Sequence, residues 1–168
     1  MPGWKSLPIS IGALALAMSA AACASSGARP RPFPSPAGSA GLSAPTPQVD
    51  AIVATALALR GRPYLKGGST PTGFDCSGFT QYVFGRHGVA LPREVREQFE
   101  RGAPVTTGRV APGDLLFFST IAPGASHVGI AIGRGEFVHA PSSTGVVRVE
   151  RLETSYWAQR FVGARHVN

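Results

Sequence analysis

The sequence predicts an α+β fold, helices first and an antiparallel sheet afterwards, with a cysteine at the start of one helix. Three observations carry this reading. Apolar residues recur at helical spacing over 48–60 and again after Cys76. From Asp114 onward the period falls to two, in short runs bounded by glycine and proline. The two regimes follow one another instead of alternating, which separates α+β from a βαβ arrangement. At 168 residues, with 43% apolar and 15% charged side chains, the chain can form one packed domain plus flanking segments.

Residues 1–22 stand apart. Lys5 supplies one positive charge, Leu7 to Ala22 is uncharged, and Ala20-Ala21-Ala22 leads into Cys23. About sixteen apolar residues is short for a spanning helix and fits a secretory leader. Small residues before Cys23 resemble a bacterial lipoprotein signal, with Cys23 as the acylated residue, although Ala20 stands where such signals usually carry leucine. The competing possibilities are an uncleaved anchor and a Cys23–Cys76 disulfide, which acylation would exclude. Residues 23–47 form a tether in which six prolines, Pro30 to Pro47, are mixed with Ser, Gly and Ala.

The domain is expected over 48–168. Thr46-Pro47 starts a helix that places Ile52, Ala56 and Leu59 on one face and stops at Gly61. A turn-rich connection, Gly61 to Gly68, brings Tyr64 close to the cysteine helix. That helix has Asp75 as its N-cap, Cys76 in its first turn, a stripe of Phe79, Tyr82 and Val83, and Gly88 as its stop. Leu91-Pro92-Arg93-Glu94 reads as a further helix start running to Gly102. Asp114 to Phe118 reads as a buried strand after a Pro112-Gly113 turn. His127 to Ile132 and Glu136 to Ala140 form a hairpin, Val146 to Val149 another strand, and Tyr156 to Arg165 a last strand or short helix.

Residues an even number of positions apart on opposite arms of a hairpin, as His127 and His139 are, share a face only for an odd loop. A three-residue loop, Gly133-Arg134-Gly135 with Gly135 left-handed, therefore puts His127 and His139 on one face. There the Cys76 thiol could meet them. A cysteine at a helix N-terminus, a histidine to take its proton and a polar group to orient that histidine form the general arrangement for nucleophilic acyl transfer. Cys76 is then the nucleophile, His127 the base and later acid, and His139 the orienting group. Such a pair is expected as thiolate and imidazolium, with Asp75 opposing the thiolate unless its carboxylate turns onto the helix N–H groups. Taken singly, each residue also fits a blander role, as a packed cysteine, an edge histidine or a core histidine. His87 is expected at a helix C-terminus and His166 in the tail, neither with any chemistry.

The net charge is +7, or +6 once Lys5 leaves with the leader. An exported protein rarely meets nucleic acid, so acidic wall polymer or anionic lipid headgroups are the better-matched partners and no nucleic acid is expected, the simplest reading being a solvated surface with a mild pull toward the wall. A Cys–His–His zinc site lacks a paired CxxC or HxxxH element, so no metal or cofactor is expected.

Together Pro63-Tyr64-Leu65-Lys66-Gly67-Gly68, Gly73-Phe74-Asp75-Cys76-Ser77-Gly78-Phe79, Leu91-Pro92-Arg93, Pro112-Gly113-Asp114-Leu115, His127-Val128-Gly129-Ile130 and Phe137-Val138-His139-Ala140 resemble the NlpC-type family of bacterial cell-wall cysteine peptidases. The tail from Tyr156-Trp157 to Ala164-Arg165 resembles its lipoprotein branch. The resemblance implies a papain-like fold and metal-free endopeptidase action on peptidoglycan stem peptides near diaminopimelate. It implies the same roles for Cys76, His127 and His139, a Tyr64 that lines the site and helps hold an oxyanion, and cleft positions for Asp75 and Ser77. Glu94-Val95 stand where the family often has Thr-Ser. The expected setting is the cell envelope, as a periplasm-facing monomer anchored through Cys23. A wall-binding module without activity and an acyltransferase on a related scaffold are the alternatives; the first would not need all three residues, and the second places its histidine before its cysteine.

Overall fold

In the computed structural model, which describes residues 46–168, the first element is helix α1, Pro47–Ala58. The leader, Cys23 and the tether lie outside the described residues. Thr46 Oγ1 accepts the Val49 N–H at 3.4 Å, Pro47 occupies the first turn, and Ile52 and Ala56 are buried as the spacing requires. The connection that follows contains a small hairpin not foreseen in the sequence, β1 (Ser69–Thr70) with β2 (Gly73–Phe74).

Helix α2, Cys76–Gly85, begins at Asp75, whose side chain accepts the Gly78 N–H. Phe79, Val83 and Phe84 are fully buried and Tyr82 partly so. Each fully buried side chain contributes about 1.5–3 kcal/mol of transfer free energy. A Cβ on Gly78 would sit 2.0 Å from the Gly68 carbonyl oxygen, so the start of this helix meets the preceding connection backbone to backbone.

Helix α3 spans Val95–Glu100 and starts later than the Leu91-Pro92 signal predicts. Tertiary bonds explain the delay. Gln98 Nε2 donates to the Pro92 carbonyl at 2.8 Å, and Arg93 is drawn onto Asp75 and Ser77.

One six-stranded antiparallel sheet follows, in the order β3-β8-β4-β5-β6-β7. Its strands are β3 (Ala103–Val105), β4 (Leu115–Phe118), β5 (His127–Gly133), β6 (Glu136–His139), β7 (Arg148–Arg151) and β8 (Phe161–His166). The four-residue helix α4, Ser155–Ala158, precedes β8, so the final segment is a helix and a strand in succession. Strand β7 begins two residues later than expected, because Val147 exchanges backbone hydrogen bonds with Gly61 and Arg62 after α1. His166 is no tail residue: it ends β8, with Nδ1 2.8 Å from Asp114 Oδ1.

The β5–β6 hairpin closes on two residues, not three. Arg134 and Gly135 both have positive φ, 54° and 72°, and Gly133 pairs with Glu136. A register shift between Ala131 and Gly133 inserts the extra residue that the three-residue loop was expected to supply. The parity is the same, and so is its consequence for the two histidines.

Side chains of the sheet alternate between two apolar layers. Leu115, Phe117, Val128, Ile130, Val138 and Ala140 join α1 and α2, whereas Leu116, Phe118, Ala131, Phe137 and Ala164 join Trp157 of α4.

Candidate active site

The Cys76 side is built from charge and hydrogen bonds. Asp75 Oδ1 accepts the Gly78 N–H at 2.8 Å, and Oδ2 accepts the Gly67 N–H at 3.0 Å and pairs with Arg93 Nη2. The carboxylate has turned onto the helix start, yet its charge still opposes a thiolate at Cys76. Arg93 Nη1 donates to Ser77 Oγ at 2.7 Å. Beneath them Gln98, with no exposed surface, donates through Nε2 to Ser77 O at 3.1 Å and accepts from Thr80 Oγ1 at 2.7 Å. Arg93 was visible in the sequence as a motif residue, but nothing there showed that it and Gln98 brace the first turn of α2.

The Cys76 sulfur faces the backbone N–H groups of Cys76, Ser77 and Val128, all of which favour the thiolate. Burial and then the Asp75 charge outweigh them and push the thiol up to about 11. Tyr64 stands close by: burial, then Cys76 and Asp75, raise its phenol above the usual range. Tyr64, Asp75, Cys76, Ser77 and Arg93 all line one cleft of about 950 Å³, whose rim carries Lys66, Glu94, Arg96, Glu97 and the exposed Ile121. A smaller cavity of about 370 Å³ beside α1 is lined largely by Val49, Ile52, Val89, Pro112 and Val167, with His166 as its titratable side chain.

The histidine side is built from packing. His127 Nε2 lies 2.7 Å from His139 Nδ1, with the ring planes at 88°. Phe118 is the register partner of His127, and a Cβ on Gly129 would lie 3.1 Å from His139 Cβ and 2.8 Å from the Phe137 ring, so glycine there leaves room for the diagonal contact. His139 is fully buried and its Nε2 has no hydrogen-bond partner. Burial holds His127 down to about 4, and burial, then His127 and Arg148, hold His139 down to about 2. Burial of both groups therefore works against the thiolate–imidazolium pair and toward the neutral one.

The structure brings the two histidines into direct contact and sets Cys76 against the peptide N–H that follows His127. Among the described residues no hydrogen bond joins the sulfur to either ring. With Nε2 committed to His139, Nδ1 is the His127 nitrogen left for the thiol, and catalytic hydrogen bonds commonly shorten only when substrate binds. Among the described residues no cluster of three His, Cys, Asp or Glu side chains is placed to hold a metal ion, and no helix is long and apolar enough to cross a membrane.

A family model described as the NlpC/P60 family matches residues 61–166. The chain is 43% identical over 109 residues to the murein DD-endopeptidase MepS/murein LD-carboxypeptidase of Escherichia coli strain K12, covering 64% of this chain and 57% of that one. It is 38% identical over 122 residues to the γ-DL-glutamyl hydrolase of Bacillus subtilis strain 168, covering 70% of this chain and 30% of the relative. The crystal structure of an NlpC/P60 family protein from Bacillus cereus ATCC 10987 superposes with a TM-score of 0.67 at 35% identity, covering 73% of this chain and 41% of that one. The chain therefore spans roughly a third to somewhat over half the length of these relatives.

Proposed function

The chain belongs to the NlpC/P60 family, and from that membership and the site geometry we propose that it is a peptidoglycan endopeptidase of the cysteine type, cutting amide bonds of stem peptides near diaminopimelate. The observation that carries the reading is the His127–His139 contact at 2.7 Å, beside a strand start whose next N–H meets the Cys76 sulfur. Cys76 passes its proton to His127 as the sulfur attacks the scissile carbonyl, so charge develops only in the transition state. The Cys76 N–H and the Tyr64 hydroxyl hold the oxyanion. Collapse expels the amine, which takes the proton from His127 and leaves a thioester on Cys76. The neutral imidazole then draws a proton from water, which hydrolyses the thioester. His139 keeps the ring of His127 in place throughout.

Asp75 and Ser77 line the cleft, yet Arg93 and backbone N–H groups engage their polar atoms, which supports a bracing role beside any contact with substrate. We extend the proposal to the flanking segments: a signal peptide at 1–22, a lipid on Cys23, a tether to residue 47 and the peptidase domain over 48–168, facing the wall from the outer side of a membrane.

Digestion of purified sacculi by the wild type and by Cys76→Ala, with the released muropeptides identified by mass, tests the activity and assigns the bond. Products from the wild type alone are expected; equal products from both proteins would overturn the proposal. For the anchor, Cys23→Ser is expected to leave the membrane fraction, and unchanged membrane association would argue against acylation.

A further inference from the structure

We infer that Trp157 is the positioning residue of this site, its indole ring holding His127 and His139 in the orientation in which they share a proton. The inference rests on the catalytic roles proposed for the two histidines. Hydrogen bonding leaves their orientation underdetermined. The pair shares one bond of 2.7 Å, and the far nitrogen of His139 has no polar partner. Packing has to supply the remaining constraint.

Trp157 touches both rings. It stacks on His127 with centroids 5.6 Å apart and planes at 24°, and meets His139 at 4.9 Å and 90°. Because the two imidazoles are themselves perpendicular, one flat indole fixes both, lying along the first and across the second. Phe118 and Phe137 back it at 4.8 and 5.3 Å. The indole is anchored in turn: Nε1 donates to Glu150 Oε2 at 3.0 Å, and Glu150 is held by Arg148 Nε at 3.0 Å. Arg148 is the register partner of His139, so the chain of contacts returns to the strand it orients.

The stacked face has a second consequence. When His127 takes the thiol proton it becomes a cation lying against an indole, a contact that favours the charged form formed in the transition state. Trp157 therefore acts on turnover more than on substrate binding.

The test measures kcat and KM on isolated muropeptides, alongside thermal midpoints, for Trp157→Leu, Trp157→Phe, Glu150→Ala and Cys76→Ala. Trp157→Leu is expected to lose about tenfold or more in kcat with KM nearly unchanged, the equivalent of one displaced ring and one lost cation–π contact. Trp157→Phe keeps an aromatic face and is expected to recover most of that loss. Glu150→Ala removes the anchor from a partly exposed position and is expected to lower kcat about two- to threefold, so the inference stays testable if Trp157→Leu fails to fold. Phe117→Leu, on the opposite face of the sheet, calibrates what destabilisation alone does. Trp157→Leu or Glu150→Ala with wild-type kcat, or kcat losses no larger than that of Phe117→Leu at matched midpoints, overturns the inference. Activity surviving in Cys76→Ala would instead overturn the catalytic reading beneath it, so the two failures are distinct.

Discussion

The two sides of the site, the Cys76 wall that faces the cleft and the histidine wall buried behind it, are held by different physics. On the Cys76 wall, Asp75, Arg93, Ser77, Gln98 and Thr80 form a hydrogen-bonded brace whose members engage one another or the backbone. On the histidine wall, two imidazoles share one bond and are otherwise surrounded by Phe118, Phe137 and Trp157. The first wall sets where the sulfur is; the second sets how costly a charge is beside it. The polar brace faces the cleft, whereas burial on the other side lowers the pKa of His127.

The comparison breaks most sharply at His127. His127→Ala removes the histidine proposed as general base from its aromatic seat and is expected to lower muropeptide hydrolysis by about 10²- to 10⁴-fold, measured by product release, while the Asp75 brace and cleft stay intact. A loss below tenfold would mean that the histidine wall is not the base. On the other wall, Arg93→Leu leaves the Asp75 carboxylate and Ser77 hydroxyl without their shared donor. It is expected to cost about 1–3 kcal/mol in denaturant titrations, with Arg93→Lys recovering part of it because one ammonium cannot serve both acceptors in the same geometry.

The third prediction separates the walls by pH. Both histidines titrate lower in the folded protein than their ordinary 6.5, so the unfolded chain binds more protons as acid is added. Stability is therefore complete above 6.5 and falls as the pH drops toward 4, the value to which His127 is lowered. Urea midpoints at pH 7 and 4.5 are expected to show that loss, and His127→Gln to reduce it. An unchanged slope in the variant would place the acid sensitivity elsewhere.

How far the sequence revealed each wall follows from the same contrast. Asp75, Cys76 and the apolar stripe behind them are local, so capping and helical spacing exposed them. The parity that puts His127 and His139 on one face was also readable, although a two-residue turn with a register shift replaced the three-residue loop. What could not be read was tertiary. Arg93 and Gln98 act across 18 and 21 residues, on Asp75 and Ser77. Trp157 reaches the histidines from α4, a segment the alternation left undecided between strand and helix. The shifts of the thiol and the two imidazoles escaped for the same reason, since desolvation depends on which neighbours close over the pocket and not on spacing along the chain.

The central claim is that Cys76 reacts as a partly buried thiol that gives up its proton only during attack. Its most direct test is the rate at which iodoacetamide alkylates Cys76 as a function of pH, with hydrolysis followed in the same samples. The account predicts activity lost in step with one adduct on Cys76, at a rate still climbing above the thiol's ordinary 9.0 toward about 11. A rate already level in the neutral range would reveal a preformed thiolate–imidazolium pair and contradict the neutral resting state, and full hydrolysis by the alkylated protein would contradict the account as a whole.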